Sequence, residues 1–305
     1  MSKDKIKVLY IAGAPRTGST LLALLLGELD GFWSVGEGAR ALFNTRLRSQ
    51  VVPCGCGCQV PECPFWKDII QNIDSETEKF GKEKIRIPYL PLLMGPIKSR
   101  TFKNQLQQFL SKTEELYHLI AKKAGCRVIV DSSKNPPHAF LLSQIPSIDL
   151  YVVHLVRDPR GIMSSWSKPK KYLKKLSMRR VILNLWSFNF LSESLQRYAQ
   201  GYLLVRYEDL VKHPAETLKK IANLVKEEVK DPDFLEKTKA RIGTQHLLAS
   251  NPDKYTQGWI SIEEQGWNLS RQKHFLISLM TLPLLYKYGY PFSKTFSYEN
   301  SLRNR

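Results

Sequence analysis

The chain has 305 residues, enough for one large α/β domain or two small ones. Its apolar fraction of 43% and charged fraction of 24% are those of an ordinary globular protein and exclude a low-complexity chain. The net charge of +18 is the departure; it favours anionic ligands, acidic membrane surfaces or polyanions over neutral partners, unless it is only a solvated basic surface. Met1 to Lys7 is polar, and the apolar run "VLYIAGA" after it is cut short by Pro15 and Arg16, so no secretory leader is expected. The longest apolar stretch, "FLISLMTLPLL", is too short to cross a bilayer and contains Pro283. A cytoplasmic protein, with peripheral membrane contact left open, is the expectation.

In chain order, Lys7 to Ala12 is a short apolar run rich in β-formers and bounded by Gly13, which predicts a buried strand. Thr20 to Leu26 is apolar on every face and predicts a buried helix, with Ser19 and Thr20 available to cap it. Val51 to Pro96 carries four of the five cysteines and several prolines; it reads as an insertion, about residues 45–100, outside the main sheet. Phe102 to Lys123 has helical spacing of apolar residues and ends at Gly125. "RVIVDSSK" predicts a second strand, Pro136 to Gln144 a short helix, "DLYVVHLVRD" a third strand, and Pro159 the first turn of another helix. Ser177 to Gln200 reads as a long helix, "YLLVRYEDL" as a fourth strand, and Pro214 to Val225 as an amphipathic helix. Strands alternating with helices predict an α/β fold, a parallel sheet flanked by helices on both faces, within a single domain spanning 1–305. The polar tail after Tyr290 is expected to be loosely held.

Four cysteines fall in "CGCGCQVPEC": Cys54, Cys56, Cys58 and Cys63. Zinc is one reading of the cluster, although the spacing is not the familiar pair of CxxC knuckles, and an odd total argues against a disulfide framework. A reduced or facultatively oxidised loop anchored by "PFW" is the expectation, and no metal ligand is assigned.

Three stretches carry the chemistry. "GAPRTGST", Gly13 to Thr20, has the outline of a phosphate loop (glycine, four residues, glycine, then a closing hydroxyl), but Ser19 stands where the lysine of an ATP-binding loop belongs and Arg16 sits inside. Its backbone amides and the following helix N-terminus would form an anion cradle, with Arg16 adding a planar fork of donors. In "HLVRDPRGIMSSW", Arg157 ends a strand and Ser165 follows two helical turns later, so the two could grip one phosphate; alternatively Arg157 pairs with Asp158 or a helix end. In "VDSSKNPPH", polar groups through Lys134 cluster at the carboxyl end of a strand, where α/β sheets bind ligands, though a helix-capping turn would look the same.

Together these motifs resemble the sulfotransferases that use 3′-phosphoadenosine 5′-phosphosulfate (PAPS), bacterial-type members in particular. "PRTGST" looks like that family's 5′-phosphosulfate loop, which implies donor contacts from Arg16, Thr17, Gly18, Ser19 and Thr20. "LVRDPRGIMSSW" looks like its 3′-phosphate motif, with Arg157 and Ser165 in the matching positions. "DSSKNPP" resembles the turn that carries a lysine near the transferred sulfonate, here Lys134. "VRYEDL" resembles the segment whose tyrosine meets the adenine, here Tyr207, and "ASNPDKY" a closing loop whose basic residue would be Lys254. The family resemblance implies a P-loop NTPase-like sulfotransferase fold, PAPS as co-substrate and adenosine 3′,5′-bisphosphate as product. Cytosolic members place a catalytic histidine where Pro136 stands, so the base must come from elsewhere. "GEGARAL" is similar to the "GEE" segment of tyrosylprotein sulfotransferases, which points to Glu37, with His138 and His154 as fallbacks and a helix-end carboxylate as the bland role for Glu37. Glu37, Lys134 and Arg16 are then the expected catalytic residues.

The acceptor is expected to bear a hydroxyl and is otherwise open: glycan, lipid, peptide or small molecule. "SKPKKYLKKLSMRR", Ser167 to Arg180, has seven Lys/Arg and no acid, and could border the site, meet an anionic membrane or simply be solvated. No nucleic-acid partner is expected. Two rivals remain: a P-loop kinase, which would need the lysine that Ser19 replaces and has only Asp131 as a candidate Mg²⁺ carboxylate, and a non-enzymatic polyanion-binding protein.

Overall fold

The computed structural model describes residues 5–38, 53–96, 99–168, 176–248, 251–264, 266–267 and 269–292. Five strands, β1 (Ile6–Ala12), β2 (Phe32–Gly36), β3 (Val128–Asp131), β4 (Ile148–Val156) and β5 (Gly201–Arg206), form a parallel sheet in the order β2-β3-β1-β4-β5. The strand alternation sorts side chains onto two faces. Val8, Tyr10 and Ala12 of β1, with Leu150 and Val152 of β4, face one apolar cluster; Leu9 and Ile11, with Tyr151, Val153 and Leu155, face the other. Both faces are therefore buried, which is why these strands read as unbroken apolar runs.

Helix α1 (Ser19–Gly27) lies on the second face and is buried along Leu22–Leu26. Helices α2 (Lys67–Ile70), α3 (Ser75–Lys84) and α4 (Leu90–Met94) belong to the expected insertion; they lie outside the sheet, yet Phe65, Trp66, Ile69 and Phe80 join the first-face core. Helix α5 (Arg100–Ala124) carries Leu106, Phe109, Leu116, Tyr117 and Ile120 onto that core and stops at Gly125, which takes the left-handed conformation. Helix α6 (Pro136–Leu142) follows β3 on the same side. Helices α7 (Pro159–Ser167) and α8 (Met178–Ser194) pack in a third cluster with α11 (Arg271–Met280) and α12 (Leu282–Lys287), while α9 (Tyr207–Lys212) and α10 (Pro214–Leu224) cover the second face. A small antiparallel sheet, β6 (Leu235–Glu236), β7 (Lys239–Ile242) and β8 (Gly258–Ser261), stands apart.

Several features differ from the sequence expectation, the small β6–β8 sheet among them. Strand β2 was not foreseen. Its sequence, Phe32-Trp33-Ser34-Val35-Gly36, puts a serine in a buried position and so lacks the apolar run that marks the other strands. Helix α8 ends at Ser194, short of Gln200, because the chain tightens into a 3₁₀ turn at Leu195–Arg197 before β5. Tyr207 opens α9 rather than lying in a strand. Ser19 and Thr20 do not cap α1: its N-cap is Gly18, at φ 95°, with no side-chain cap, so the amides of the first turn remain available to an anion. Residues 169–175 of the basic run, Ala249 and Ser250 of "ASNPDKY", Ala39 to Leu42 of "GEGARAL", and the tail after Phe292 lie outside the described residues.

Candidate active site

In a parallel sheet every strand ends on the same side, and here each of the five strand ends delivers a candidate residue. The Gly13–Gly18 loop follows β1, Glu37 follows β2, Lys134 follows β3, Arg157 follows β4 and Tyr207 follows β5. Register enforces the clustering: Tyr10 pairs with Asp131, Ala12 with His154 and Val156 with Arg206.

The loop is held in an uncommon backbone shape. Arg16 sits at φ 77° and Gly18 at φ 95°. Gly18 cannot carry a side chain: a Cβ there would lie 2.4 Å from the Tyr207 ring, which packs directly on the loop. Thr17 Oγ1 donates to Ala14 O at 3.0 Å and braces the turn from inside.

Arg16, Arg157, Ser165 and Tyr207 meet at one end of the site. Arg16 Nε donates to Ser165 Oγ at 3.0 Å, Arg157 Nη1 donates to Arg16 O at 3.3 Å, and the Arg157 guanidinium lies 4.2 Å from the Tyr207 ring centroid. Asp158 does not pair with Arg157. It is fully buried against Arg160, accepting from Nε at 2.8 Å and Nη2 at 2.6 Å, and Arg160 goes on to the carbonyls of Pro291 and Phe292. Glu208 adds a second brace, accepting from Asp158 N at 3.1 Å and Tyr290 OH at 2.8 Å; burial raises its carboxyl above the usual range. The motif thus divides its charges: Asp158 and Arg160 are framework, and Arg157 is turned toward the loop.

Lys134, Glu37 and Ser19 meet at the other end. Lys134 Nζ donates to Ser19 Oγ at 3.0 Å, Glu37 Oε1 at 3.0 Å and Ser132 O at 3.1 Å, which uses all three ammonium hydrogens. The ion pair is mostly shielded, with side-chain exposures of 10% and 12%. Lys134 holds φ 53°, an uncommon conformation for a residue with a side chain. Tyr10 supports that turn from β1: Asn135 N donates to its hydroxyl at 2.8 Å and the hydroxyl donates to Asn135 O at 3.0 Å. Glu37 N donates to Leu248 O, fixing the end of β2 against the C-terminal segment.

Asp131 is sealed. It accepts from Ser133 N at 2.7 Å and Tyr117 OH at 2.6 Å, is fully buried, and burial raises its pKa. One oxygen is committed to the turn that presents Lys134 and the other to Tyr117 on α5, so it is not the open carboxylate a Mg²⁺–nucleotide site needs. His138 and His154, the fallback bases, are core residues. Burial lowers His138 to about 3, and its Nε2 lies 3.2 Å from Tyr117 OH. Asn189 Nδ2 donates to Leu185 O, so Asn189 Oδ1 accepts from His154 Nε2 at 2.9 Å and His154 Nδ1 accepts from Tyr202 OH at 2.7 Å. His154 is thereby held neutral, with burial lowering it to about 4.

Of the remaining sequence candidates, Thr20 joins the site through Asn251, whose Nδ2 donates to Thr20 Oγ1 at 3.4 Å. Lys254 is buried and sends its ammonium to Pro53 O, beside Cys54. The sequence missed the Asp158–Arg160–Glu208 framework, the Tyr10 and Tyr117 supports and His246, which lies with Cys54, Cys56 and Cys63. The acidic–basic spacing in "RDPRG" was the available signal for the first; the rest have no local signature.

Residues 9–231 match the sequence profile of the Sulfotransferase family. No curated protein matches the chain in sequence. Among solved structures it is similar to the sulfotransferase domain from the curacin biosynthetic pathway, with a TM-score of 0.52 and 16% identity over 95% of this chain and 99% of that one. It is also similar to the sulfotransferase STF9 from Mycobacterium avium (TM-score 0.47, 11% identity, 95% and 78% covered) and to a sulfotransferase from Alicyclobacillus acidocaldarius (0.43, 10%, 95% and 98%). The first likeness shows a shared α/β fold, and the profile covers well over half of the sequence: the chain belongs to the sulfotransferase family.

Proposed function

We propose that the protein transfers the sulfonate group of PAPS to an acceptor hydroxyl by in-line displacement. The observation that carries this reading is the two-ended arrangement of the strand ends: Arg157, Ser165 and Tyr207 around Arg16 at one end, Lys134, Glu37 and Ser19 at the other. A donor with a separate 3′-phosphate needs a grip apart from the 5′ cradle, and Arg157 with Ser165 supplies one. Tyr207, already stacked under a guanidinium, offers its ring edge to an adenine.

The transfer forms a bond between acceptor oxygen and sulfur and breaks the bond from sulfur to the oxygen of the 5′-phosphate, which leaves as adenosine 3′,5′-bisphosphate. The amides of the loop and the α1 N-terminus hold the phosphate side, and Lys134 stabilises charge on the sulfonate and leaving oxygen, joined by Arg16 when it turns from Ser165 to the bound donor. Glu37 takes the acceptor proton. Its pairing with Lys134 is the resting arrangement: when Lys134 turns to an anionic donor, Glu37 loses its ammonium partner and becomes a stronger base. The glutamate base follows the tyrosylprotein-like segment, so it is the part of the mechanism most open to test.

A thermal-shift series separates this reading from its rivals. Adenosine 3′,5′-bisphosphate should stabilise the protein by about 2.7 kcal/mol at a hundredfold excess over its Kd, while ATP–Mg²⁺ and heparin should not. Stabilisation by ATP–Mg²⁺ alone would return the loop to the kinases.

An anionic membrane is the surface we propose for presenting the acceptor. Leu183 and Phe190 on α8, Phe275 and Leu279 on α11 and Tyr286 on α12 are 52–89% exposed, and Trp186 Nε1 donates to Met280 O, which ties the first helix to the others. Exposed Arg179, Arg180, Arg271 and Lys287 lie on the same helices. Among the described residues no helix is long and apolar enough to cross a membrane. Co-sedimentation with phosphatidylserine vesicles, weakening with salt and absent for phosphatidylcholine, is the expected result.

A further inference from the structure

We propose that Cys54, Cys56, Cys63 and His246 bind one zinc ion that clamps the C-terminal segment onto the strand end bearing Glu37. The inference is independent of the sulfotransferase reading. The four ligand atoms all lie within 4.8 Å of one another. Tetrahedral zinc with sulfur at about 2.3 Å and nitrogen at about 2.0–2.1 Å requires sulfurs about 3.8 Å apart and sulfur–nitrogen pairs about 3.5 Å apart. The structure has Cys56 Sγ to Cys63 Sγ at 3.7 Å, Cys63 Sγ to His246 Nδ1 at 3.2 Å and Cys54 Sγ to His246 Nδ1 at 3.8 Å. A disulfide would need about 2.05 Å between sulfurs, and all five cysteines are free.

The surroundings are those of a built site. Cys54 to Cys58 form a tight hairpin, with Cys54 N donating to Cys58 O at 2.8 Å and Gly57 N to Cys54 O at 2.9 Å. Gly55 lets that hairpin press against the C-terminal segment: a Cβ there would meet Gln245 O at 2.6 Å and Lys254 O at 2.9 Å. The His246 ring lies near-parallel to both Trp33 and Phe65, with centroids 5.9 and 5.6 Å away in a cluster where those two rings also touch each other, and Trp66 Nε1 donates to His246 O at 2.7 Å. The imidazole is therefore fixed in the orientation that turns Nδ1 to the sulfurs.

Three thiolates and an imidazole suit zinc rather than the oxygen-seeking Mg²⁺ or Ca²⁺. Four protein ligands close the tetrahedron, which marks a structural site. On binding, three S–H bonds give way to three S–Zn bonds, one N–Zn bond forms, and three protons pass to solvent. The site then carries one net negative charge, and Lys254, hydrogen-bonded to the carbonyl just before Cys54, supplies a nearby positive one. Two residues after His246, Leu248 N donates to Val35 O at 3.1 Å and Leu248 O accepts from Glu37 N, so the clamp acts directly on the β2 end.

The test is metal content of the full chain, purified without chelator, by plasma mass spectrometry. One zinc per chain is expected, released stoichiometrically by a mercurial thiol reagent and followed with a colorimetric zinc indicator. Cys58→Ser, at the exposed cysteine outside the group, should keep one zinc; His246→Cys should keep it with four sulfurs; His246→Ala and Cys63→Ser should fall at least fivefold. Protein from cobalt-supplemented cells should show the sulfur-to-cobalt charge-transfer band of a tetrahedral thiolate site, a readout that does not depend on the variants folding. Wild-type protein with less than a tenth of a zinc per chain, or with Cys56 and Cys63 disulfide-bonded as purified, would overturn the proposal.

Discussion

The donor cradle and the Cys–His knot meet at the same short segment, Val35 to Glu37, and are built in opposite ways. The cradle draws one contribution from each strand end, and each lies in a contiguous motif that can be read in isolation. The knot draws two ligands from one hairpin, a third from the 3₁₀ turn that follows it at Cys63, and the fourth from 183 residues beyond Cys63. The cradle is polar, largely shielded and held in uncommon backbone shapes at Arg16 and Lys134. The knot is packed among Trp33, Phe65 and Trp66. One region is arranged to change partners when a ligand arrives; the other is arranged not to move. Experiments that treat the two separately should therefore give separable results.

The largest effect is expected at Glu37. Glu37→Gln should lower turnover by roughly 10²–10⁴ while adenosine 3′,5′-bisphosphate affinity stays within about threefold. Near-normal turnover would remove the carboxylate from the chemistry and leave it only as the partner of Lys134. Next comes the knot. Stripping the metal should lower the melting temperature by roughly 10 °C, a few kcal/mol at about 2–4 °C per kcal/mol for a chain of this size. Scanning calorimetry with and without a strong chelator measures it, and an unchanged melt would mean the hairpin holds itself. Arg157→Ala should weaken bisphosphate binding by roughly 10–100-fold, the loss of a charged hydrogen-bond donor, with little change in melting temperature since Asp158 and Arg160 carry the frame. Titration calorimetry reads it, and an equal loss of stability would show that Arg157 is framework too.

His138 and His154 separate scaffold from chemistry by pH. Each folded pKa, about 3 and about 4, lies below the ordinary 6.5, so above pH 6.5 both states are neutral and nothing is lost. Between 6.5 and about 4 only the unfolded chain takes up these protons, and stability falls with pH by about 1.4 kcal/mol per unit per histidine. From pH 7 to 5 that is about 2 kcal/mol each. Urea denaturation of wild type against His154→Gln should show the variant losing less, and turnover should carry no titration from either ring.

What was legible in the sequence follows from the same contrast. Strands β1, β3 and β4 announced themselves as apolar runs because both of their faces are buried; β5, at the sheet edge with Leu204 exposed, did so by its β-forming residues, and the residues of the cradle sat at the strand ends. Strand β2 did not, because Ser34 interrupts five residues that tertiary pairing with β3 makes a strand. Strands β6 to β8 are too short to stand out, and β6 and β7 are charged besides. His246 carries no local mark: "GTQHLL" gains its meaning only when Leu247 and Leu248 dock along Gly55 and Val35. Whether Arg157 is spent on Asp158 could not be settled in sequence, since the two are neighbours; the buried match of Asp158 to Arg160 leaves Arg157 available to the loop.

Lys254 is where the two regions make competing claims. The resemblance of "ASNPDKY" to a closing loop assigns it to the 3′-phosphate, yet its side chain is buried with the ammonium on Pro53 O and against the Tyr255 ring. Desolvation by burial lowers its pKa, and the Cys54 and Glu37 charges act the other way. To reach a phosphate it would have to leave that carbonyl, a charge-assisted bond worth about 1.5–3 kcal/mol, and expose a packed stem. Arg157 pays no such cost, being already at the loop. Lys254→Gln should therefore change bisphosphate affinity by less than about twofold while making the hairpin cysteines of the metal-free protein react more slowly with a thiol reagent, because the positive charge that favours their thiolates is gone. A tenfold loss of affinity with unchanged thiol reactivity would move Lys254 back to the cradle and make the 251–255 segment a lid rather than a strap.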